Sequence, residues 1–149
     1  MNETCQNAEN FLSGLITDLH FNLSVSSEVT DEGCLLNLSG EDVPFLLSEN
    51  GEMLDAFETL LFQIYGREIE RTHRFICDAD GFRRTRKAEL QAMARFAAQN
   101  VRKSSRPFTF GKLNSTERRV IHLTLQSEED LLTESVGESR DRRLQVRLK

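Results

Sequence analysis

Ala8, Phe11, Leu12 and Leu15 fall at the three-and-four spacing of a helix face, and Phe21, Leu23 and Val25 then alternate with Asn22, Ser24 and Ser26 as in a half-buried strand. Asp31, Glu32 and Gly33 mark a turn. Cys34, Leu36 and Leu38 continue as a second strand, which Gly40 closes. Asp42 to Leu47 reads as a short helix that stops at the turn Ser48, Glu49, Asn50, Gly51. In the longer helix that follows, Leu54, Phe57, Leu61 and Ile64 share a face and Gly66 ends it. Arg74 to Cys77 form a third strand before the turn Asp78, Ala79, Asp80, Gly81.

Past that turn, Leu90, Met93, Ala94, Ala97 and Val101 make a buried stripe on a helix from about Phe82 to Lys103. At about 100° per residue, Arg84, Arg95 and Arg102 lie together on a different face, a row of guanidiniums. Pro107 ends the helical region, and Phe108 to Phe110 can form a short strand. Asn114, with Glu117 three residues on, is a capping-box start for a helix that packs through Val120, Ile121, Thr124 and Leu125. Arg118 and His122 sit four apart on its remaining face with Arg119 beside them. Ser127 to Asp130 break this helix, and Leu131 to Val136 and Leu144 to Leu148 read as strands around a turn at Gly137.

Charge divides the chain where the pattern changes. Residues 1–81 hold three basic side chains against 16 acidic ones, and residues 82–149 hold 16 basic against eight acidic. The second stretch suits a polyanion, of which nucleic acid is the commonest, and the first does not. The competing explanation is that the two halves merely attract one another. Cys5, Cys34 and Cys77 are an odd, widely spaced set without a CxxC, which predicts three reduced thiols, Cys34 and Cys77 buried in strands. No apolar run reaches the roughly 20 residues of a membrane span and the start lacks the pattern of a secretory leader, so the expected location is the cytoplasm, without membrane insertion.

The stretch SSRPFTFGKLNSTERRVIHLTLQ, followed by TESVGES and DRRLQVRL, resembles the R-three-H domain, named for an arginine, three intervening residues and a histidine, here Arg118 and His122. The surrounding Arg106-Pro107, Asn114, Glu117-Arg118-Arg119, Thr133-Glu134-Ser135 and Gly137-Glu138 carry the match. Upstream, LLSENGEMLDAFETLLFQI resembles the loop and second helix of a KH domain, and that order of domains is similar to the Jag, or SpoIIIJ-associated, family of bacterial proteins. The resemblance implies a mixed α/β (α+β) chain of two small domains. Residues 1–80 would be a type II KH-like αββααβ domain, and residues 81–149 an R-three-H domain of helices packed on a small sheet. It further implies a cytoplasmic regulatory protein that binds RNA or single-stranded DNA, with no catalysis; no cofactor or metal is expected from the residues. Family members commonly carry a further small N-terminal domain, which is expected to be absent here.

A KH domain clamps the nucleic-acid backbone with a Gly-x-x-Gly turn, because missing side chains let phosphates approach backbone N–H groups. Here that turn reads Ser48, Glu49, Asn50, Gly51, with one glycine lost and a carboxylate where a cation would help. The first half is therefore expected to bind RNA poorly and to hold a protein instead, a small KH-domain protein or a second copy of the chain. The nucleic-acid contacts are expected from the second half. Arg118 can make a bidentate bond to phosphate, His122 can donate to phosphate or stack on a base, and Arg119 extends the positive field. Arg84, Arg95 and Arg102 add the row on the preceding helix. Arg106, Lys112, Asn114, Arg142 and Arg143 complete the set. Phe108 and Phe110 are the nearby aromatics, and in a short strand these favour the core. His122 also admits a structural role. An enzyme would need Ser115, Thr116 or Ser135 as nucleophile, but His20, His73 and His122 fall in different elements and no metal-ligand cluster or phosphate loop accompanies them.

Overall fold

The computed structural model describes residues 1–149, the side chain of Ser139 excepted. The chain forms two compact units, Met1–Arg83 and Arg84–Lys149. Counted by these bounds, the first holds four basic against 16 acidic residues and the second 15 basic against eight acidic.

In the first unit, helix α1 (Asn2–Asp18) buries Cys5, Ala8, Leu12 and Ile16. Strands β1 (Ser24–Thr30) and β2 (Gly33–Ser39) pair antiparallel from Ser24↔Ser39 to Thr30↔Gly33. Helices α2 (Val43–Leu46) and α3 (Ser48–Tyr65) follow, and β3 (Arg74–Asp78) returns parallel to β2, giving the sheet order β1-β2-β3. The central strand buries Cys34, Leu36 and Leu38 against Leu54, Phe57 and Leu61 of α3 in one core. Ile64, expected on that buried face, emerges at 45% exposure.

The strand expected from Phe21 begins later, at Ser24. The Asn22 N–H donates to the Asp42 carboxylate at 2.6 Å and the Asn22 carbonyl accepts from the Asp42 N–H at 3.3 Å, so this backbone is held by the start of α2 and not by a ladder. Phe21 and Leu23 still pack on the core. At β3 the side chains of α3 and Arg83 occupy the outer edge: the Cys77 N–H donates to Glu58 at 2.8 Å and its carbonyl accepts from Arg83 Nε at 3.1 Å. Arg83 is itself paired with Asp55 and Glu58, each at 2.7 Å. Edge groups satisfied in this way cannot template another strand at that point.

The cysteine expectation needs correction. Cys34 and Cys77 lie buried in β2 and β3 as expected, but Cys5 and Cys34 are joined in a disulfide, with Cα atoms 5.5 Å apart. Sequence spacing gave no sign of it because the contact arises from α1 packing across the hairpin, 29 residues apart in the chain. Cys77 is the free thiol, and burial, then the charge of Glu58, pushes its pKa up, so it stays protonated.

The opening residues of α3 are not helical but make a sharply defined turn after α2. Glu49, Asn50 and Gly51 have φ of 55°, 57° and 77°, three left-handed residues in succession. Glu49 and Asn50 are exposed, whereas Gly51 is buried, and a Cβ there would lie 2.4 Å from the Phe82 ring. Gly51 is thus demanded by both its backbone and its neighbour. Ser48 is not among the left-handed residues, and its hydroxyl donates to the Phe45 carbonyl at 2.7 Å.

In the second unit, α4 (Phe82–Ser104), whose first turn spans the unit boundary, packs Leu90, Ala94, Ala97, Ala98 and Val101 against Ile121 and Leu125 of α5 (Ser115–Leu125). Strands β4 (Phe108–Thr109), β5 (Leu131–Val136) and β6 (Arg143–Leu148) form an antiparallel sheet of order β4-β6-β5, whose Leu131, Leu144 and Val146 close the core. Among the described residues, no helix is long and apolar enough to cross a membrane.

Candidate nucleic-acid interface

The start of α5 is fixed by a full capping box: the Asn114 side chain accepts from the Glu117 N–H at 2.8 Å, and Glu117 accepts from the Asn114 N–H at 3.3 Å. Glu117 is only 8% exposed, and its second oxygen accepts from Arg86 Nε at 2.6 Å. A buried carboxylate with both oxygens bonded locks the first turn of α5 to α4. Arg86 was missed in the sequence. It falls outside the Arg84, Arg95, Arg102 row, and only its partner across 31 residues reveals its role.

Arg118, next on this helix, donates from Nη1 to the Leu113 carbonyl at 2.6 Å. One contact of five possible donors holds the guanidinium in place and leaves others for a ligand. One turn on, the ring Nδ1 of His122 is hydrogen-bonded to the Thr133 hydroxyl of β5. Helix and strand together wall an open cavity of about 550 Å³, lined by Ser115, Thr116, Arg118, Arg119, His122, Thr133, Glu134, Ser135 and Leu144. Its one carboxylate, Glu134, is bound to Arg147 at 3.0 Å, so the two arginines of the lining face it without competition. Two guanidiniums, an imidazole and four hydroxyls suit an anion flanked by polar groups, the chemistry of a sugar–phosphate.

The remaining expected contacts do not line this cavity. Arg84 and Arg95 lie exposed on α4, Arg106 precedes β4, Lys112 precedes α5, Arg142 precedes β6 and Arg143 opens it. Arg102 departs most from expectation: it is committed to Asp130 at 2.7 Å and Glu128 at 2.9 Å. The hydrogen bonds that Arg102 donates to Asp130, then to Glu128, raise its pKa, and the one to Asp130 lowers that of the carboxylate. A guanidinium neutralised by two carboxylates offers little to a phosphate. Helical phase placed Arg102 beside Arg84 and Arg95 but could not show that the loop after α5 folds back onto it. In the first unit, Ser48, Glu49 and Asn50 are exposed and Gly51 is covered. No group of three or more potential metal ligands occurs among the described residues.

The chain is 29% identical over 127 residues to a protein of Clostridium symbiosum named RNA-binding protein KhpB, covering 85% of this chain and 57% of that relative. It is 30% identical over 112 residues to the protein of that name from Bacillus subtilis (strain 168), covering 74% of this chain and 54% of the relative. The chain therefore spans little more than half the length of these curated relatives. Residues 88–148, which carry the cavity and both residues of the Arg118–His122 pair, match the R-three-H domain.

Proposed function

We propose that this chain is a bacterial nucleic-acid-binding protein of the Jag type, cytoplasmic and regulatory in role, that holds single-stranded RNA or DNA in the cavity of its C-terminal unit. The observation that carries the reading is the convergence of Arg118, Arg119 and His122 with Ser115, Thr116, Thr133 and Ser135 around one open cavity whose only carboxylate is already paired. Arg118, pre-positioned by Leu113, takes the phosphate, Arg119 adds field, and the hydroxyls meet sugar or base edges. Similarity to two relatives named for RNA binding, and the R-three-H match over residues 88–148, support the same assignment.

The first unit is read as a KH-like domain whose loop has lost most of its grip on nucleic acid. Support comes from the element order αββααβ, from β3 running parallel to β2, and from the left-handed turn joining α2 and α3. Glu49 stands exposed in that turn, in a unit with a large acidic excess, so phosphate is repelled. Its exposed Phe45, Phe62 and Ile64 suit a protein partner, a small KH-domain protein or a second copy. No catalytic role is proposed, since His122 is hydrogen-bonded to Thr133 and the one carboxylate of the cavity, Glu134, is paired with Arg147.

The test is photocrosslinking of the full chain to single-stranded RNA containing 4-thiouridine, followed by peptide mapping. Crosslinks should concentrate in the segments 115–122 and 133–135. Crosslinks confined to residues 48–51, or none above a bovine serum albumin control, would overturn the assignment.

A further inference from the structure

The sheet of the C-terminal unit has two edges. The Arg118 cavity lies at the β5 edge. At the β4 edge lies a second open cavity, of about 440 Å³, lined by Ala92, Met93 and Phe96 of α4 and by residues 108–111. Three aromatic rings shape it. Phe96 and Phe108 stand edge to face with centroids 6.2 Å apart, and Phe108 and Phe110 do so at 5.1 Å. Phe110 is buried core, Phe108 is half-buried, and Phe96 is 60% exposed. An exposed phenyl ring propped by a perpendicular neighbour presents a fixed apolar face to solvent.

The charges around this face narrow what can cover it. Lys103 lies two helical turns beyond Phe96, Arg106 is two residues before Phe108, and Lys112 follows Gly111. All three are exposed and none has an ion pair among the described residues. No carboxylate lines the cavity, and the nearest acid along α4, Glu89, is bonded to Arg86 at 3.2 Å. A protein partner would have to bring both apolar side chains and carboxylates to one patch. Unpaired nucleic acid carries flat apolar rings and anionic phosphates in every repeat.

We infer that the Phe96–Phe108 face is a base-stacking platform, a second contact by which the C-terminal unit holds single-stranded RNA: one unpaired base lies on Phe96 while its flanking phosphates meet Lys103, Arg106 and Lys112. This rests on the nucleic-acid reading of the Arg118 cavity, and adds to it a contact with bases at the opposite edge of one sheet. The two edge strands are separated by two strand spacings, about 10 Å, so one polymer can engage both and each contact raises the effective concentration of the other.

The experiment uses the full chain, a fluorescent 16-nucleotide single-stranded RNA and an abasic oligonucleotide of equal length, read by anisotropy. Phe96→Ala should weaken RNA binding by about 5- to 150-fold, the range for one stacked base, leave abasic binding unchanged, and leave the salt slope unchanged because no cation is removed. Phe96→Trp should retain affinity, and because the chain has no tryptophan, the introduced indole should be quenched by RNA and not by the abasic strand. Phe96→Ala binding RNA within twofold of the parent, while Arg118→Ala does not, overturns the platform alone. Self-association of the parent that Phe96→Ala abolishes would make the face an interface between copies and overturn it too. A parent that binds no RNA overturns both readings.

Discussion

Replacing Gly51 by alanine probes the geometry of the turn that opens α3. Two costs are predicted. The φ of 77° places an L-residue in the left-handed region, at about 1–2 kcal/mol. The new Cβ would lie 2.4 Å from Phe82 Cε1 and 2.9 Å from Cζ, and relieving such a contact costs about 1–3 kcal/mol in a packed setting. The sum, about 2–5 kcal/mol, is a large part of the stability of a small domain. The assay is intrinsic: Tyr65 is the only tyrosine, tryptophan is absent, and its ring packs within the first unit beside Phe11 and Phe75. Urea unfolding of the full chain followed by tyrosine fluorescence thus reports that unit. A double-mutant cycle with Phe82→Ala should recover the contact part and leave the backbone part. A Gly51→Ala loss below about 1 kcal/mol, or one that Phe82→Ala leaves untouched, would refute the reasoning.

Three other expectations concern binding and charge, and a fourth the disulfide. Arg119→Gln should flatten the salt dependence of RNA binding by about 0.7, one phosphate on a single strand, whereas Arg102→Gln should leave it nearly unchanged; equal effects would contradict the commitment of Arg102 to Asp130 and Glu128. Asp130 is held below its ordinary carboxylate value, first by the Arg102 hydrogen bond, so the stability it contributes is present above about pH 4 and lost as pH falls through its folded value; the difference in Tm between parent and Arg102→Gln should shrink as pH falls through that range. Ser48→Gly combined with Glu49→Lys and Asn50→Lys should raise RNA affinity several-fold at low salt through a second site on the same polymer, and a folded variant that binds like the parent would count against the KH reading. Thiol titration of air-oxidised, unfolded chain should find Cys77 alone, with Cys5 and Cys34 released only by reduction, which should cost about 3–4 kcal/mol for a loop of 29 residues; three thiols before reduction would contradict the bond.

Much of the fold was legible because its signals are local. The period-two run Cys34, Leu36, Leu38, the glycines at turns, and the Asn114–Glu117 box are each written within a few residues, and the corresponding elements appear. The motif at Arg118 and His122 was likewise legible as one helix face, and that face lines a cavity. What escaped depended on distant partners. The late start of β1 reflects Asp42 holding Asn22, the disulfide reflects α1 crossing the hairpin, and Arg102 is claimed by a loop 26 to 28 residues away. Phe96 escaped for another reason: periodicity marks which residues face the core, and an aromatic left outside the stripe carries no signal until β4 folds beside it.

The central claim is that phosphate is gripped at Arg118 and Arg119. Its most direct test is the slope of log affinity against log salt for a single-stranded RNA and the full chain, measured for the parent and for Arg118→Ala with Arg119→Ala, with circular dichroism to confirm folding. Each phosphate contact on a single strand contributes about 0.7 to the slope, so the doubly substituted chain should lose affinity at low salt and flatten by about 1.4. A folded double variant with the parent's slope and affinity would contradict the account.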